Sequence, residues 1–298
     1  MDQLLIIAMD GLVVASRVFL ISAGLAVIYG VMRILNIAHG ALFTLGAYAA
    51  STLVLRYLDS DLPDLGSYLV LALAAVLVGA VAGALIERGV LRWLYGHEPV
   101  LQLLATFALF LIIEDLIRIA WQGKTFNPYQ PFTFLGSFTV AGVNYPGYYL
   151  LLFGAAAGMG VLMWLLLSRS RFGRLVATVT HDPEIGTALG VNLPKVYVVT
   201  FAIGSILAAI GGAFTAPMQA VIPSMGIEII VISFAVVVIG GLGSLKGAAL
   251  GSLIVGEAQA AMTHLYPVLT LFVVYLVMTA VLLIRPSGLF GQAEARRI

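Results

Sequence analysis

The sequence predicts an all-α protein: a polytopic membrane helical bundle with about eight or nine transmembrane segments. Hydrophobic residues make up 61% of its 298 residues and charged residues only 10%, whereas a soluble domain carries roughly a quarter charged residues. The charges are also segregated, because long stretches contain no Asp, Glu, Lys or Arg: 18–32, 65–86, 125–168, 196–227 and 258–284. A helix needs about 20 mainly apolar residues to cross the hydrocarbon core. The chain is therefore expected to cross a bilayer many times.

The apolar segments follow one another along the whole chain. They lie near 4–32, 41–58, 66–86, 99–121, 148–168, 195–220, 226–241, 247–262 and 265–285. The segments 226–241 and 247–262 are short for full crossings, so they form either two crossings or the halves of one broken or re-entrant element. We treat residues 1–298 as a single membrane domain, whose largest cytoplasmic loop is at about 168–195.

Lys and Arg residues predict the orientation, because they are retained on the cytoplasmic side. One set of connections holds ten of them: Arg33, Arg88, Arg92, Arg169, Arg171, Arg174, Lys195, Arg285, Arg296 and Arg297. The opposite set holds three: Arg56, Arg118 and Lys124. We expect a multi-pass protein of the bacterial inner (plasma) membrane with its N-terminus outside and its C-terminus in the cytoplasm.

The composition argues against several classes of function. A net charge of +1 gives no sign of a nucleic-acid partner. The absence of cysteine removes disulfides, thiolate catalysis and Cys-ligated zinc. The histidines are scattered without metal-ligand spacing: His39, His97, His181 and His264. We expect no catalytic residue, no metal site and no cofactor bound by this chain.

Two polar, glycine-containing breaks interrupt the apolar sequence, one near each end of the chain. The first is at 29–40 and the second at 239–247; each follows an apolar helix, carries one cation and precedes a helix of small residues. Corresponding breaks in two halves are what an internal repeat would leave, and in transporters they often mark the translocation pathway. The alternative is a pair of ordinary cytoplasmic turns, in which Arg33 and Lys246 follow the positive-inside rule.

The breaks and one nearby acid supply the candidate pathway residues: Asn36, His39, Gly40, Gly241, Gly243, Ser244 and Glu257. Asn36 and His39 could share a helical face, where a buried structural role is also open. Charges within spans are expensive and are usually functional or paired. Glu257 therefore suits either the pathway or polar packing, and Asp10 could pair with Arg17.

Other contacts within and between spans can be predicted from spacing. Small residues four apart allow close helix packing, as in Gly79-x3-Gly83, Gly154-x3-Gly158 and Gly243-x3-Gly247-x3-Gly251. Glu114, Asp115 and Arg118 are expected to pair with one another near the outer end of a span.

The cytoplasmic loop contains the signals of a short helix. Asp182 is a good N-cap, Pro183 suits the first helical position and Glu184 favours the positive end of the helix dipole. Gly190 fits a left-handed stop and Pro194 prevents continuation. The predicted helix of about two turns, near 183–189, is long enough to present one apolar face.

That face would carry Ile185 and Leu189, four residues apart. Such a helix could dock in a groove on a soluble partner, or it could lie on the lipid headgroups. Glu184-Ile185-Gly186-x3-Gly190 resembles the EAA loop of ABC importer permeases, in which Glu-Ala-Ala-x3-Gly forms the helix that contacts the ATPase. Ile185 and Gly186 stand at the two alanine positions of that motif.

Three further stretches resemble the branched-chain (hydrophobic) amino-acid permeases. They are Tyr29-Gly30-Val31-x-Arg33-Ile34-x-Asn36-x-Ala38-His39-Gly40, Val238-Ile239-Gly240-Gly241-Leu242-Gly243-Ser244-x2-Gly247-Ala248 and Arg285-Pro286-x-Gly288-Leu289-Phe290. The resemblance implies a permease that works with a second homologous permease, two cytoplasmic ATPases that bind ATP and Mg, and a periplasmic binding protein. Relatives also carry urea, short amides and aromatic acids, so the cargo stays open.

The chain has no Gly-x4-Gly-Lys-Ser/Thr sequence, so a partner must hydrolyse any nucleotide. Three rival classes remain: a secondary ion-coupled transporter, an intramembrane enzyme and a passive channel. The cytoplasmic loop separates them, because its disruption should abolish ATP-linked import and leave a carrier or channel active.

Overall fold

The computed structural model describes residues 2–60 and 62–291, apart from the side chains of Asp2, His181, Pro183 and Ile185. Arg296 and Arg297 of the expected cytoplasmic set lie outside these residues. The helices of the described chain are α1 (Asp2–Met32), α2 (Ala38–Leu58), α3 (Gly66–Gly89), α4 (Pro99–Trp121), α5 (Gln130–Thr133), α6 (Tyr148–Arg169), α7 (Arg171–His181), α8 (Pro183–Ala188), α9 (Leu193–Thr215), α10 (Met225–Gly240), α11 (Leu245–Leu265) and α12 (Thr270–Ile284).

The helices confirm the predicted polytopic membrane bundle. Seven of them are long and apolar enough to span a membrane, and α10 with α11 forms an additional pair that is bent by 117°. If the pair counts as one broken span, the described residues make up to eight crossings. The predicted bundle is confirmed, and its number of crossings depends on whether α10 and α11 count as one broken span or as two.

Two short elements were not indicated by the sequence patterns. A hairpin of β1 (Ser137–Val140) and β2 (Val143–Pro146) lies between α5 and α6, with Val140 opposite Val143. Helix α7 precedes the predicted loop helix, and the Ser170 side chain caps it by accepting from the Gly173 N–H at 3.0 Å. Both elements lie outside the long apolar runs from which the spans were predicted.

Helices α2 and α9 form the centre of the bundle and are buried over most of their length. Small residues let them approach closely: the Gly46 position leaves no room for a side chain against Ala209, and Gly212 lies on the Phe43 carbonyl. Gly79 and Gly83 of α3 pack on α9 in the same way. The packing role predicted for that glycine pair is confirmed.

The glycine pair of α6 behaves differently. A Cβ atom placed on Gly154 or Gly158 meets no described heavy atom within 4 Å, so the prediction that this pair packs a helix within the chain is wrong. The buried face of α6 instead carries Leu152, Ala156 and Met163. Positions 154 and 158 point away from that face because successive residues turn by about 100° in a helix.

Candidate functional site

The first break is an irregular segment that returns into the bundle. Helix α1 ends at Met32, Arg33 adopts a left-handed φ of 58°, and α2 begins only at Ala38. The His39 Nε2 atom hydrogen-bonds to the Ile21 carbonyl at 2.9 Å. Ile21 lies three turns before the end of α1, so residues 33–37 carry the chain back to that depth before α2 starts.

Side chains of the protein satisfy part of this irregular backbone. The Thr106 hydroxyl of α4 donates to the Leu35 carbonyl at 3.1 Å and lies 3.3 Å from the Ile37 N–H. Irregular backbone at membrane depth is tolerated only where protein or water provides such partners. The break is therefore packed within the bundle and hydrogen-bonded to α4, unlike an ordinary surface turn.

Asn36 and His39 are both fully buried in this region. Neither polar atom of the Asn36 amide has a hydrogen-bond partner among the described residues. The His39 Nδ1 atom also has none there. An unpaired buried polar group costs about 1–3 kcal/mol, so such groups need a reason in a native structure. The Asn36 amide and His39 Nδ1 are therefore candidates for hydrogen bonds to water or to a solute.

The second break lies between α10 and α11. Gly241 and Gly243 have φ angles of 100° and 81°, which other residues rarely adopt. Ser244 then caps α11 by accepting from the Gly247 N–H at 3.0 Å. Gly247 and Gly251 pack on the backbone of α10, so the predicted close approach of the glycine run is confirmed.

The C-terminal segment packs against the end of α10 at this second break. The Leu289 N–H donates to the Ile239 carbonyl and the Phe290 N–H donates to the Gly240 carbonyl, both at 2.9 Å. The last carbonyls of a helix have no intrahelical partner, and the tail supplies donors for two of them. This part of the Arg285–Phe290 motif therefore has a direct structural role.

Glu257 lies at the contact between α1 and α11. A Cβ atom on Gly11 would sit 2.5 Å from its carboxyl group, so the glycine makes room for the acid. Asp10 hydrogen-bonds to His264 Nε2 at 2.7 Å, and Arg17 forms no ion pair within 4.0 Å among the described residues. The predicted Asp10–Arg17 pair is therefore wrong, because seven helical residues separate them by about 10 Å along the axis.

The pairing predicted near the outer end of α4 is confirmed. Arg118 forms ion pairs with Glu114 and Asp115. These groups sit at i, i+4 and i, i+3 spacing on one helix surface, and they are separate from the breaks.

Glu228 is a candidate that the sequence analysis did not single out. It lies in the first turn of α10, is exposed, and lines a groove formed with α11 and α12. The signal was present, because Glu228 is the only charged residue between Lys195 and Lys246. An isolated acid in so long an apolar run is typical of a functional position.

The loop helix has the predicted caps. It is α8, whose Glu184 N–H donates to the Asp182 carboxylate at 2.9 Å, and the stop at Gly190 has a φ of 82°. Leu189 is 72% exposed, which leaves its side chain free to contact a partner. The side chains of Pro183 and Ile185 lie outside the described residues. Gly186 faces Val179 of α7, since a Cβ atom on Gly186 would lie 3.6 Å from the Val179 side chain.

The loop and the first break lie at the same end of the bundle. Gly160 of α6 contacts Phe19 of α1, and four crossings separate the starts of these two helices, so they run in the same direction. Helix α7 follows the end of α6 and contacts α1. The loop helix, the last turn of α1 and the first break therefore lie at the same end of the bundle.

A polar cluster supports the base of α9, directly after the loop. The Tyr95 hydroxyl donates to the fully buried Glu87 carboxylate at 2.6 Å, and the Tyr95 ring packs edge-on against Tyr197 at 4.9 Å between centroids. Burial raises the pKa of Tyr95 well above its usual range, and the Glu87 carboxylate raises it further. The cluster ties α3 to α9 at the point where α9 leaves the loop.

Comparison with known proteins places the chain among transport proteins. Residues 7–282 match the family described as the permease component of branched-chain amino acid transport systems. The high-affinity branched-chain amino acid transport system permease protein BraD of Pseudomonas aeruginosa is 28% identical over 295 residues, which cover 97% of this chain and 96% of that protein. LivH of Escherichia coli, a permease protein of the same description, is 25% identical over 97% of this chain and 96% of its own length.

An archaeal relative shows the same likeness. The probable branched-chain amino acid transport permease protein LivH of Methanocaldococcus jannaschii is 28% identical over 95% of this chain and 91% of its own length. The likeness thus extends over nearly the whole length of each chain, including both breaks and the loop.

Proposed function

The chain belongs to the family of branched-chain amino acid transport system permease components, and from this membership we propose that it is the membrane subunit of an ATP-binding-cassette importer. It moves branched-chain or other hydrophobic amino acids into the cytoplasm by alternating access. The observation that carries the proposal is the family match over residues 7–282. The capped loop helix at the end of the bundle that holds the first break supports it.

The subunit does no covalent chemistry in this scheme and binds no cofactor. Two cytoplasmic ATPases bind ATP and Mg, and their closure moves the α8 helix through Asp182, Glu184 and Leu189. Because α9 begins at Leu193, only a few residues beyond α8, any displacement of α8 reaches the buried centre of the bundle. A second homologous permease, a periplasmic binding protein and the lipid bilayer complete the set of partners; nucleic acid is not among them.

The breaks are the parts that rearrange to open the pathway. Asn36, His39 and Gly40 form one side of it, and Gly241, Gly243 and Ser244 form the other, with Glu257 nearer the outer end. The unpaired atoms of Asn36 and His39 support this assignment, because their cost is recovered when an open pathway brings water to them. The chain lies in the inner membrane with the N-terminus outside, so α8 faces the ATPases.

The test is a pull-down of tagged protein in mild detergent, followed by mass spectrometry. We expect ATPases with the Gly-x4-Gly-Lys-Ser/Thr sequence and a second permease to co-purify, and we expect a double variant, Glu184→Ala with Gly190→Pro, to lose the ATPases. Uptake of radiolabelled leucine by the reconstituted complex should require ATP. A homo-oligomer without any ATPase, or leucine uptake driven by an ion gradient alone, would indicate a secondary carrier or channel instead.

A further inference from the structure

A groove between α10, α11 and α12 contains one acidic side chain, Glu228. It has a volume of about 510 Å³, which lies within the range of about 300–1,000 Å³ typical of small-molecule sites. Its walls are mainly apolar, and its polar groups come from Glu228, Gln259 and Tyr275. Neither the pathway assignment nor the coupling loop uses any of these residues.

The contacts of α10 place Glu228 near the middle of the bundle rather than at its end. Gly226, two residues earlier, packs its backbone on Gly40, and the neighbouring His39 bonds to Ile21. Ile21 is eleven residues before the end of α1, which is about 16 Å at the rise of a helix. That depth is about half of the 30 Å hydrocarbon core.

An acid at this depth must not face lipid. A charged side chain at the bilayer centre is strongly disfavoured unless it is paired or lies beside water. Glu228 makes no hydrogen bond or ion pair within 4.0 Å to the described residues, although Arg17 behind it lies within electrostatic range. Arg17 is thus the described cation that acts on Glu228, and the exposed side of the carboxylate is open to water or to a cation from outside the chain.

The groove presents the groups that would recognise an apolar amino acid. Ile227, Val231 and Phe272 supply exposed apolar surface, and the Glu228 carboxylate can accept hydrogen bonds from an ammonium group. The Gln259 amide and the Tyr275 hydroxyl are donors, and either can bind a carboxylate. One anionic acceptor, two donors and an apolar wall match the three parts of such a solute.

We propose that the groove between α10, α11 and α12 is a solute site, in which an apolar α-amino acid binds with its ammonium group on Glu228. The choice of ligand rests on the proposed function. The site lies in the first turn of α10, and the other end of that helix leads into the second break. Occupation of the groove by a second permease or by lipid is the competing outcome.

The test measures binding to the full-length chain, co-purified with its partner subunits in lipid nanodiscs, without any binding protein. Three probes separate the parts of the ligand: leucine, 3-methylbutylamine, which lacks the carboxylate, and 4-methylpentanoate, which lacks the ammonium group. We expect Glu228→Gln to weaken leucine and 3-methylbutylamine binding at least tenfold and to leave 4-methylpentanoate binding unchanged. Asp64→Asn, which neutralises an exposed loop acid, is the matched control and should bind like the wild type.

A second variant fills the groove. Val231→Trp should abolish saturable leucine binding, whereas Leu116→Trp, at an exposed site on α4, should not; melting temperatures verify that both variants fold. Unchanged leucine affinity in Glu228→Gln and Val231→Trp, or equal affinity of the wild type for leucine and 4-methylpentanoate, would overturn the proposal.

Parallel uptake assays test the groove site and the proposed importer function separately. ATP-driven leucine uptake without saturable binding in the nanodiscs would refute the groove site and leave the importer standing. Glu228-dependent leucine binding without ATP-driven uptake would refute the importer and leave the site standing.

Discussion

Gly30, in the last turn of α1, packs directly on the backbone of Gly243, within the break between α10 and α11. A Cβ atom on Gly30 would lie 2.9 Å from the Gly243 carbonyl oxygen, and one on Gly243 would lie 2.8 Å from the Gly30 Cα. The end of the helix that enters the first break thus touches the second break. We therefore expect a rearrangement of one break to displace the other.

This contact predicts the effect of a single methyl group. Gly30→Ala should lower the melting temperature and reduce ATP-driven uptake, because relieving the clash by a backbone shift costs about 1–3 kcal/mol. Gly154→Ala is the matched control, since its Cβ meets no described atom within 4 Å, and alanine favours the helix by about 1 kcal/mol. Equal behaviour of the two variants would show that the breaks are not mechanically linked.

The second prediction concerns the stop of the loop helix. Gly190→Pro should uncouple ATP hydrolysis from transport, because proline cannot adopt the φ of 82° found there. The ratio of leucine transported to ATP hydrolysed in proteoliposomes should fall severalfold, while the melting temperature of the bundle changes little. Gly123→Pro alters another open, left-handed glycine outside the loop; a similar loss of coupling in that variant would contradict the assignment.

The spans, the breaks and the loop helix were predictable because each leaves a local signal. Apolar runs of membrane length identify helices, and Asp182 with Gly190 marks the ends of α8. The sequence could not predict the partner of Asp10, because the hydrogen bond to His264 joins residues 254 positions apart. The exposed position of Gly154 depends in the same way on which face α6 turns to the bundle.

Glu228 illustrates a different limit. Its isolation in an apolar run was visible, but its importance depends on depth and exposure. Both quantities come from the packing of Gly226 on Gly40 and from the groove beside α12. Glu257 was singled out from the sequence because it also lies among uncharged residues. In the structure it packs against Gly11, whose missing side chain makes room for the carboxyl group.

The third prediction uses the Tyr95–Glu87 hydrogen bond. Tyr95→Phe leaves the buried carboxylate without its donor and should lower the free energy of unfolding by about 2 kcal/mol. Tyr57→Phe removes an exposed hydroxyl that donates to the Pro63 carbonyl and should have a smaller effect. The comparison needs only thermal melting of the purified proteins at neutral pH.

The same residue predicts a dependence on pH. The pKa of Tyr95 is raised by burial and by Glu87, so its stabilising contribution is complete below the unfolded-state pKa of about 10 and is lost as pH rises above it. The difference in melting temperature between wild type and Tyr95→Phe should therefore be constant from pH 6 to about 9 and shrink above about 10. A difference that shrinks toward pH 6 would contradict this origin.

The fourth prediction concerns the C-terminal segment. Phe290→Pro removes the N–H that donates to the Gly240 carbonyl and should destabilise the second break by about 1–3 kcal/mol. Phe290→Ala keeps that N–H and serves as the control for the lost ring. A lower melting temperature and reduced uptake in the proline variant alone would assign the effect to the hydrogen bond; equal losses would assign it to the side chain.

The pairing of α1 with α11 also determines when, during synthesis, α1 can reach its native contacts. Asp10 meets His264 across 254 residues of chain, and Gly11 meets Glu257 in the same contact. At ribosomal speeds of about 5–20 residues per second, that separation takes roughly 13–50 s to translate. During this interval Asp10 and Gly11 lack their partners on α11. The first helix can therefore complete its packing only after most of the chain has been made.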